Sequence, residues 1–261
     1  VSSKAQGQGM IINHPQPVVS IIIPVMNEKR TLAKVLQQAS KVHRCSEVIV
    51  IDNGSTDGTS RIAASWGARL ISFEAPLGHD VGRRVGAEMA KGEVLLFIDG
   101  DMVIPALHLK HFVQAILSGV DVALNGYRGP TEREPVHPVI LAKHVLNASL
   151  GRADLEGASM TAIPHAISRR ALQVIGSKAL EIPPLAMTIA IDKGLHVKAV
   201  HTVAVGRKNP TRFKPKNTET VDPLSSLIVG DHLEALHWIH NQRGSRGGYE
   251  DLGRKRDQVK I

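Results

Sequence analysis

Two aspartates flank a glycine at Asp99-Gly100-Asp101, directly after the apolar run Val94 to Ile98. A strand ending there projects both carboxylates from the same side of the chain, and the glycine leaves room for a phosphate to approach. Two carboxylates plus diphosphate oxygens complete an octahedron around Mg²⁺ or Mn²⁺; the alternative is a solvated turn. Polar clusters also end two earlier apolar runs, Asn27-Glu28 after Val18 to Val25 and Asp52-Asn53-Gly54-Ser55 after Glu47 to Ile51. A third polar stretch, Gly78-His79-Asp80-Val81-Gly82-Arg83-Arg84, precedes a helical pattern.

The elements that must position these residues follow from periodicity. Val18 to Val25, Glu47 to Ile51, Arg69 to Phe73 and Val94 to Ile98 read as strands; Lys29 to Ser40, Thr59 to Trp66 and Gly82 to Lys91 read as the helices between them. Strand and helix alternating at this spacing predict a parallel sheet with helices on both faces, whose ligands bind beyond the carboxyl ends of the strands. The second half predicts helices at Ala106 to Leu117, His137 to Leu150, Ser168 to Ile175, Leu185 to Lys193 and from Asp222 to about Asn241, with strands at Val120 to Asn125 and His196 to Val205. Arg207 to Lys216 is basic, carries two prolines and reads as a loop. The expected organisation is a polar extension over 1–17, a first half over 18–104, a second half with the last helix over 105–241, and a mobile basic tail over 242–261.

Composition narrows the function classes. Lys+Arg 32 against Asp+Glu 24 gives a formal charge of +8 in 261 residues, which favours phosphates, nucleic acid or anionic lipid heads. Aromatic residues make up only 3%, too few for stacking platforms, so nucleic acid is not an expected partner. One cysteine, Cys45, excludes an internal disulfide framework and fits a reducing cytoplasm. No run approaches the ~20 apolar residues of a membrane span, and Val1 to Gly9 lacks the basic and apolar regions of a signal peptide. A nicotinamide-dependent oxidoreductase would need Gly-x-Gly-x-x-Gly where this chain has Pro24-Val25-Met26-Asn27-Glu28.

The ordered succession from Val19 to Glu28, from Val48 to Thr59 and from Gly92 to Asp101 resembles glycosyltransferase family 2 and its GT-A relatives, over about residues 18 to 105 and more weakly to about 210. The resemblance implies an α/β GT-A fold, a Rossmann-like nucleotide-binding sheet continuous with a smaller acceptor-binding region. It implies a glycosyltransferase that uses Mn²⁺ or Mg²⁺ and a nucleotide-sugar donor, with UDP as the default and dTDP or GDP open. It places Pro24, Asn27 and Glu28 around the nucleoside and makes Asp52 the acceptor for the base N–H, with Gly54 and Ser55 lining that pocket; the alternative for Asp52 is a plain Asx-turn. Asp99, Gly100 and Asp101 would bind donor and cation, Asp101 as the more direct ligand and a participant in catalysis. Gly78, His79 and Arg83 would meet the diphosphate, the arginine bidentately, unless His79 simply caps a loop and Arg83 and Arg84 are a solvent-facing basic pair.

In the acceptor half the family's acidic pair is absent, and Glu181 is the only nearby acid in Ala179-Leu180-Glu181-Ile182-Pro183-Pro184. Its readings are general base, acceptor-binding carboxylate, or an acid stabilised at a helix N-terminus. The stretch also resembles the segment before the late helix of glucosyl-3-phosphoglycerate synthases and mannosylglycerate synthase-like enzymes, which are retaining transferases. Arg207-Lys208-Asn209-Pro210 resembles their basic loop, closing over the donor, without the histidine they place there. His201 or His232 would then supply a metal ligand, unless either is surface or hydrogen-bonded core. Gly157-Ala158-Ser159-Met160 aligns with the small-residue acceptor segment, where it would leave space for the acceptor. The scarcity of Trp and Tyr for sugar stacking points to a small or phosphorylated acceptor. The expected reaction is therefore transfer, with inversion, from a UDP-sugar to a small-molecule or lipid-phosphate acceptor in the cytoplasm. Retention, donor binding with little transfer, peripheral contact at the inner membrane surface and a homodimer stay open.

Overall fold

A computed structural model describes residues 10–132, 134–205, 222–255 and 258. In chain order the elements are β1 (Val19–Val25), α1 (Leu32–Ala39), β2 (Ser46–Asn53), α2 (Thr59–Ser65), β3 (Arg69–Phe73), α3 (Val81–Met89), β4 (Val94–Phe97) and α4 (Ala106–Leu117). There follow β5 (Val122–Asn125), α5 (Pro138–Ser149), β6 (His165–Ser168), α6 (Arg169–Ile175), α7 (Pro183–Asp192), β7 (Val197–His201) and α8 (Pro223–Arg243). They build one seven-stranded sheet in the order β3-β2-β1-β4-β6-β5-β7.

The sheet is mixed. β3, β2, β1 and β4 are mutually parallel, as the sequence predicts, but β6 is antiparallel to both β4 and β5, and β7 is parallel to β5. Every strand except β6 therefore ends at the same edge, and β6 begins there. Periodicity does not reveal β6, because four residues, His-Ala-Ile-Ser, are too short to show alternation.

Alternation along the strands feeds two cores. Val19, Ile21, Ile23 and Val25 of β1, with Val48 and Val50 of β2, pack under α1, α2 and α4. Ile22, Ile49 and Ile51 face the other way, toward α3, α6 and α7. Each such fully buried aliphatic side chain contributes roughly 1.5–3 kcal/mol. A third cluster, Leu146 and Leu150 of α5 with Ala235 and Ile239 of α8, seals a helix seam. No helix among the described residues is long and apolar enough to cross a membrane.

Both flanking segments are more integrated than expected. Ile11 is buried, its N–H donates to the Trp66 carbonyl at 2.8 Å, and His14 N–H donates to Ser46 O at 2.9 Å. Beyond α8 the chain folds back, and the Tyr249 hydroxyl donates to Ala148 O at 2.9 Å. Val1 to Gly9 lies outside the described residues.

Glycine sets how closely α3 approaches the sheet. A Cβ on Gly86 would collide with the Ile22 side chain and stand 2.8 Å from Ile51 Cδ1; one on Gly82 would stand 3.2 Å from Pro24 Cβ. Gly86→Val is expected to cost about 1–3 kcal/mol by overpacking, read as a lower urea midpoint with unchanged m-value.

Candidate active site

Parallel strands that end together collect their following loops into one rim. The β1–β2 register sets Val25 beside Asp52, and β1 also pairs with β4, so the segments 26–31, 53–58 and 98–101 meet. Asp52 is 2% exposed. Its Oδ1 accepts from Ser55 N–H at 3.0 Å and its Oδ2 from the Ser60 hydroxyl, so the Asx-turn alternative is realised. A carboxylate has about four acceptor positions, which leaves capacity for a further donor. Gly54 turns the loop with φ of +79°, and a Cβ there would stand 3.0 Å from Pro76 N.

The first loop is tied to the second. Asn27 N–H donates to the Ser55 hydroxyl oxygen at 2.9 Å, and Asn27 Oδ1 accepts from Thr56 N–H at 2.9 Å. Glu28 N–H donates to Thr59 Oγ1 at 2.8 Å, and Lys29 N–H to Asp57 Oδ2 at 3.1 Å. The Thr59 hydroxyl donates to Asp57 Oδ1 at 2.5 Å and holds that carboxyl below its ordinary pKa. Asn27, Glu28, Lys29, Arg30, Asp57 and Asp101 line a cleft of about 840 Å³. Asp57 is absent from the sequence-derived site; the triplet Asp57-Gly58-Thr59 carries only a turn signal.

The two carboxylates of Asp99-Gly100-Asp101 do not share one direction. β4 ends at Phe97, so the triplet lies in a turn and the strand alternation no longer applies. Asp101 opens on the cleft, whereas Asp99 lies against Arg83, with Oδ1 3.4 Å from the guanidinium. Burial, with the nearby Asp80 charge, raises the Asp99 pKa against the opposing pull of Arg83 and His79. The room beside Gly100 is taken by Val25: a Cβ would stand 2.5 Å from Val25 Cγ1. The glycine is thus required by packing rather than by an approaching phosphate, and its carbonyl accepts from the Thr31 hydroxyl at 2.8 Å.

Arg83 corrects a second expectation. It is 6% exposed, and its nitrogens are engaged inside the protein: Nε with Asp80 Oδ1 at 3.0 Å, NH2 with Asp99, and NH1 with Met160 O at 3.3 Å. Burial opposes its charge, but Asp80 and Asp99 more than offset this and raise its pKa. It is neither a solvent-facing residue nor a free diphosphate clamp; it holds Asp80 and Asp99 in place. Its neighbour Arg84 donates to Glu88 and to Glu181 Oε1, each at 2.9–3.0 Å. Glu181 ends a short 3-10 turn (Ser177–Glu181), directly before the N-cap of α7, and is held there by Arg84. Gly78 turns with φ of +108°, and the half-exposed His79 stands 3.5 Å from Asp80 Oδ2.

His201 is not brought to the aspartates. Strands lie about 4.8 Å apart, and β7 is three strands beyond β4, roughly 14 Å across the sheet. Its Nε2 lies 2.8 Å from His108 Nδ1, and its ring stacks on His111 with centroids 4.3 Å apart. His232 is buried in α8. Among the described residues no three His, Cys, Asp or Glu side chains converge on a metal position. The carboxylate oxygens at Asp101 and Asp99 are the hard donors available, so a divalent cation here would complete its shell from a bound ligand. Gly157 to Met160 does not leave open space either: Ser159 is 1% exposed, and a Cβ on Gly157 would stand 2.5 Å from Arg128 O. Arg207 and its basic segment lie outside the described residues.

An α/β sheet whose parallel strands share an acidic rim at their carboxyl edge defines the class. Within that class, the sequence model for glycosyl transferase family 2 matches residues 20–172, and the chain belongs to this family. It is 37% identical over 118 residues to glycosyltransferase AglE of Haloferax volcanii, covering 42% of this chain and 38% of that protein. It is 31% identical over 126 residues to glucosyl-3-phosphoglycerate synthase of Mycobacterium tuberculosis, covering 44% and 39%. The matched region spans well under half the length of these curated relatives. A solved structure of the M. tuberculosis synthase with UDP superposes with a TM-score of 0.61 at 23% identity, covering 91% of this chain and 82% of the other. That likeness confirms the GT-A fold.

Removing the Arg83 charge takes the guanidinium from both Asp80 and Asp99, so Arg83→Met is expected to cost about 3–5 kcal/mol in urea denaturation. Two buried histidines also make the fold acid-sensitive. Burial holds His165, stacked on Phe97, at about 3, and His232 at about 4, both below the ordinary 6.5. Such groups bind protons more readily when unfolded, so their contribution is intact above about pH 6.5 and is lost progressively below it. Between pH 7 and pH 5 the pair is expected to remove about 3–4 kcal/mol, and His165→Gln to flatten that slope by about half.

Proposed function

We propose that the protein transfers a hexosyl group from a UDP-sugar to a small phosphorylated or lipid-linked acceptor, with Mn²⁺ or Mg²⁺ at the acidic rim. The observation that carries this reading is the convergence of Asn27, Asp52, Asp57, Asp99 and Asp101 at the ends of three neighbouring parallel strands. Asp52, with its remaining lone-pair capacity, accepts the imide N–H of the base, and Gly54 lets the loop backbone come close. Asp101, oriented by the turn that Gly100 and Val25 fix, holds the cation, with Asp99 beside it. The cation, when bound, neutralises charge on the departing diphosphate. Lys29 and Arg30 add positive charge along the cleft, and His79 stands beside Asp80 ahead of α3. Arg83 acts through Asp80 and Asp99 and does not touch the donor.

Inversion is the family-wide default, in which an acceptor hydroxyl attacks the anomeric carbon from the face opposite the nucleotide. Glu181 would then take the proton from that hydroxyl, using the oxygen not held by Arg84. A retaining reaction of the glucosyl-3-phosphoglycerate synthase type is the second reading. It is favoured by the Arg84–Glu181 ion pair, which makes Glu181 a structural acid, and by the fold match to that synthase solved with Mn²⁺, UDP-glucose and phosphoglyceric acid, with a TM-score of 0.60.

Thermal melts with UDP, with and without Mn²⁺, test the donor site. At a hundred times Kd, UDP with metal is expected to stabilise the fold by about 2.7 kcal/mol. Asp101→Asn is expected to abolish the metal-dependent part of the shift while leaving the metal-free melt unchanged within a degree or two. A melting temperature indifferent to UDP under all conditions would overturn the assignment.

A further inference from the structure

Arg83 leaves the diphosphate of a donor without a protein cation. Its guanidinium is engaged inside the fold with Asp80, Asp99 and the Met160 carbonyl, so other groups must meet that negative charge. The cleft of about 840 Å³ onto which Asp101 opens has two cations in its wall, Lys29 and Arg30.

Bonds on either side fix where these two residues stand. Ahead of them Glu28 N–H donates to Thr59 Oγ1 at 2.8 Å, and Lys29 N–H itself donates to Asp57 Oδ2 at 3.1 Å. Behind them the Thr31 hydroxyl donates to Gly100 O at 2.8 Å, one residue from Asp101. The turn that carries Lys29 and Arg30 is therefore tied both to the loop after β2 and to the turn that holds Asp101. Both side chains are exposed, and among the described residues no carboxylate lies within ion-pair distance of either. Asp57 shares their wall but turns its oxygens to Lys29 N–H and to Thr59.

The pair also stands where stability does not want it. Two cations directly before Thr31, the N-cap of α1, face the positive end of the helix dipole, and the first turn contains no acid to offset them. Breaking a local rule in this way is a mark of functional positions. Charge in the cleft supplies the function. Three carboxylates and two cations line it, which by themselves leave it negative by one charge. With a divalent cation at Asp101 the balance becomes positive by one; with that cation but without Lys29 and Arg30 it would stay negative by one and repel a diphosphate.

We propose that Lys29 and Arg30 are the protein cations that bind the diphosphate of the nucleotide donor, in the role that the family resemblance gives to Arg83. Arg30 offers a planar fork to two phosphate oxygens, and Lys29 a point charge beside it. The identity of the anion rests on the UDP-sugar reading; the cation pair itself does not.

The test is calorimetric titration of uridine, UDP and inorganic pyrophosphate into the full chain with Mg²⁺, for the wild type, Lys29→Gln, Arg30→Gln and the double variant. A control, Lys41→Gln with Lys110→Gln, removes the same charge from exposed positions outside the cleft wall. The double variant is expected to bind UDP and pyrophosphate roughly tenfold more weakly or worse, each single variant severalfold more weakly, and all of them uridine as the wild type does. The control is expected to stay within about twofold of wild type for every ligand. Because the two cations oppose the α1 dipole, the double variant should melt at or slightly above the wild-type temperature without ligand, which shows that it is folded. UDP affinity unchanged in the folded double variant, an equal loss for uridine, or a loss that the control shares would overturn the assignment and leave the UDP-sugar reading standing. If UDP does not bind while pyrophosphate binds and depends on Lys29 and Arg30, the donor reading falls and the anion site stands. If neither anion binds the wild type, both fall.

Discussion

The arrangement depends on one buried guanidinium. Arg83 reaches from the first turn of α3 to the side chain of Asp80, to Asp99 after β4, and to the main chain at Met160 in the other half of the molecule. Each of those segments has some freedom of its own, because two are turns and the third precedes a short strand. A planar group with five donors fixes all three at once, which an ammonium could not do. The sequence marks an arginine at this position as chemically important. Its importance is that it makes the two halves of the chain share one rigid corner.

Much of the first half is legible in the sequence because its strands are unbroken apolar runs. β1, β2 and β4 lie where their Val and Ile content puts them, and the polar residues that end them do line a common rim. Side-chain direction within that rim is not legible. Strand alternation puts Asp99 and Asp101 on one side, but the strand stops two residues short and the turn separates them. Asp57 and Asp80 escape notice because their work is local hydrogen bonding and a buried pair, neither of which has a period. His201 shows the converse limit. A histidine at the end of a strand is a plausible ligand until the strand order sets it at the far side of the sheet, and strand order is a tertiary fact.

The second half is less legible because its contacts are made by exceptions to pattern. Asn125 is fully buried at the end of β5, with Nδ2 donating to Ile163 O and Val203 O and Oδ1 accepting from Val203 N–H. It pins three separate chain segments at the same edge as the acidic rim. A single polar residue in an apolar strand reads as noise in a sequence, yet once satisfied by several bonds it specifies position more sharply than an apolar side chain would.

β6 runs against every other strand of its sheet, so the chain passes along the rim before entering it rather than after leaving it. The stretch between β5 and β6 carries no pairing of β1, β2 and β4, so away from Met160, whose carbonyl holds Arg83, it can change composition without shifting their register. Such a layout separates two kinds of molecular memory: the position of the acidic rim is written into parallel pairing, while the chain between β5 and β6 is an interchangeable overhang. A fold wired in this way can vary that overhang while its acidic rim stays fixed.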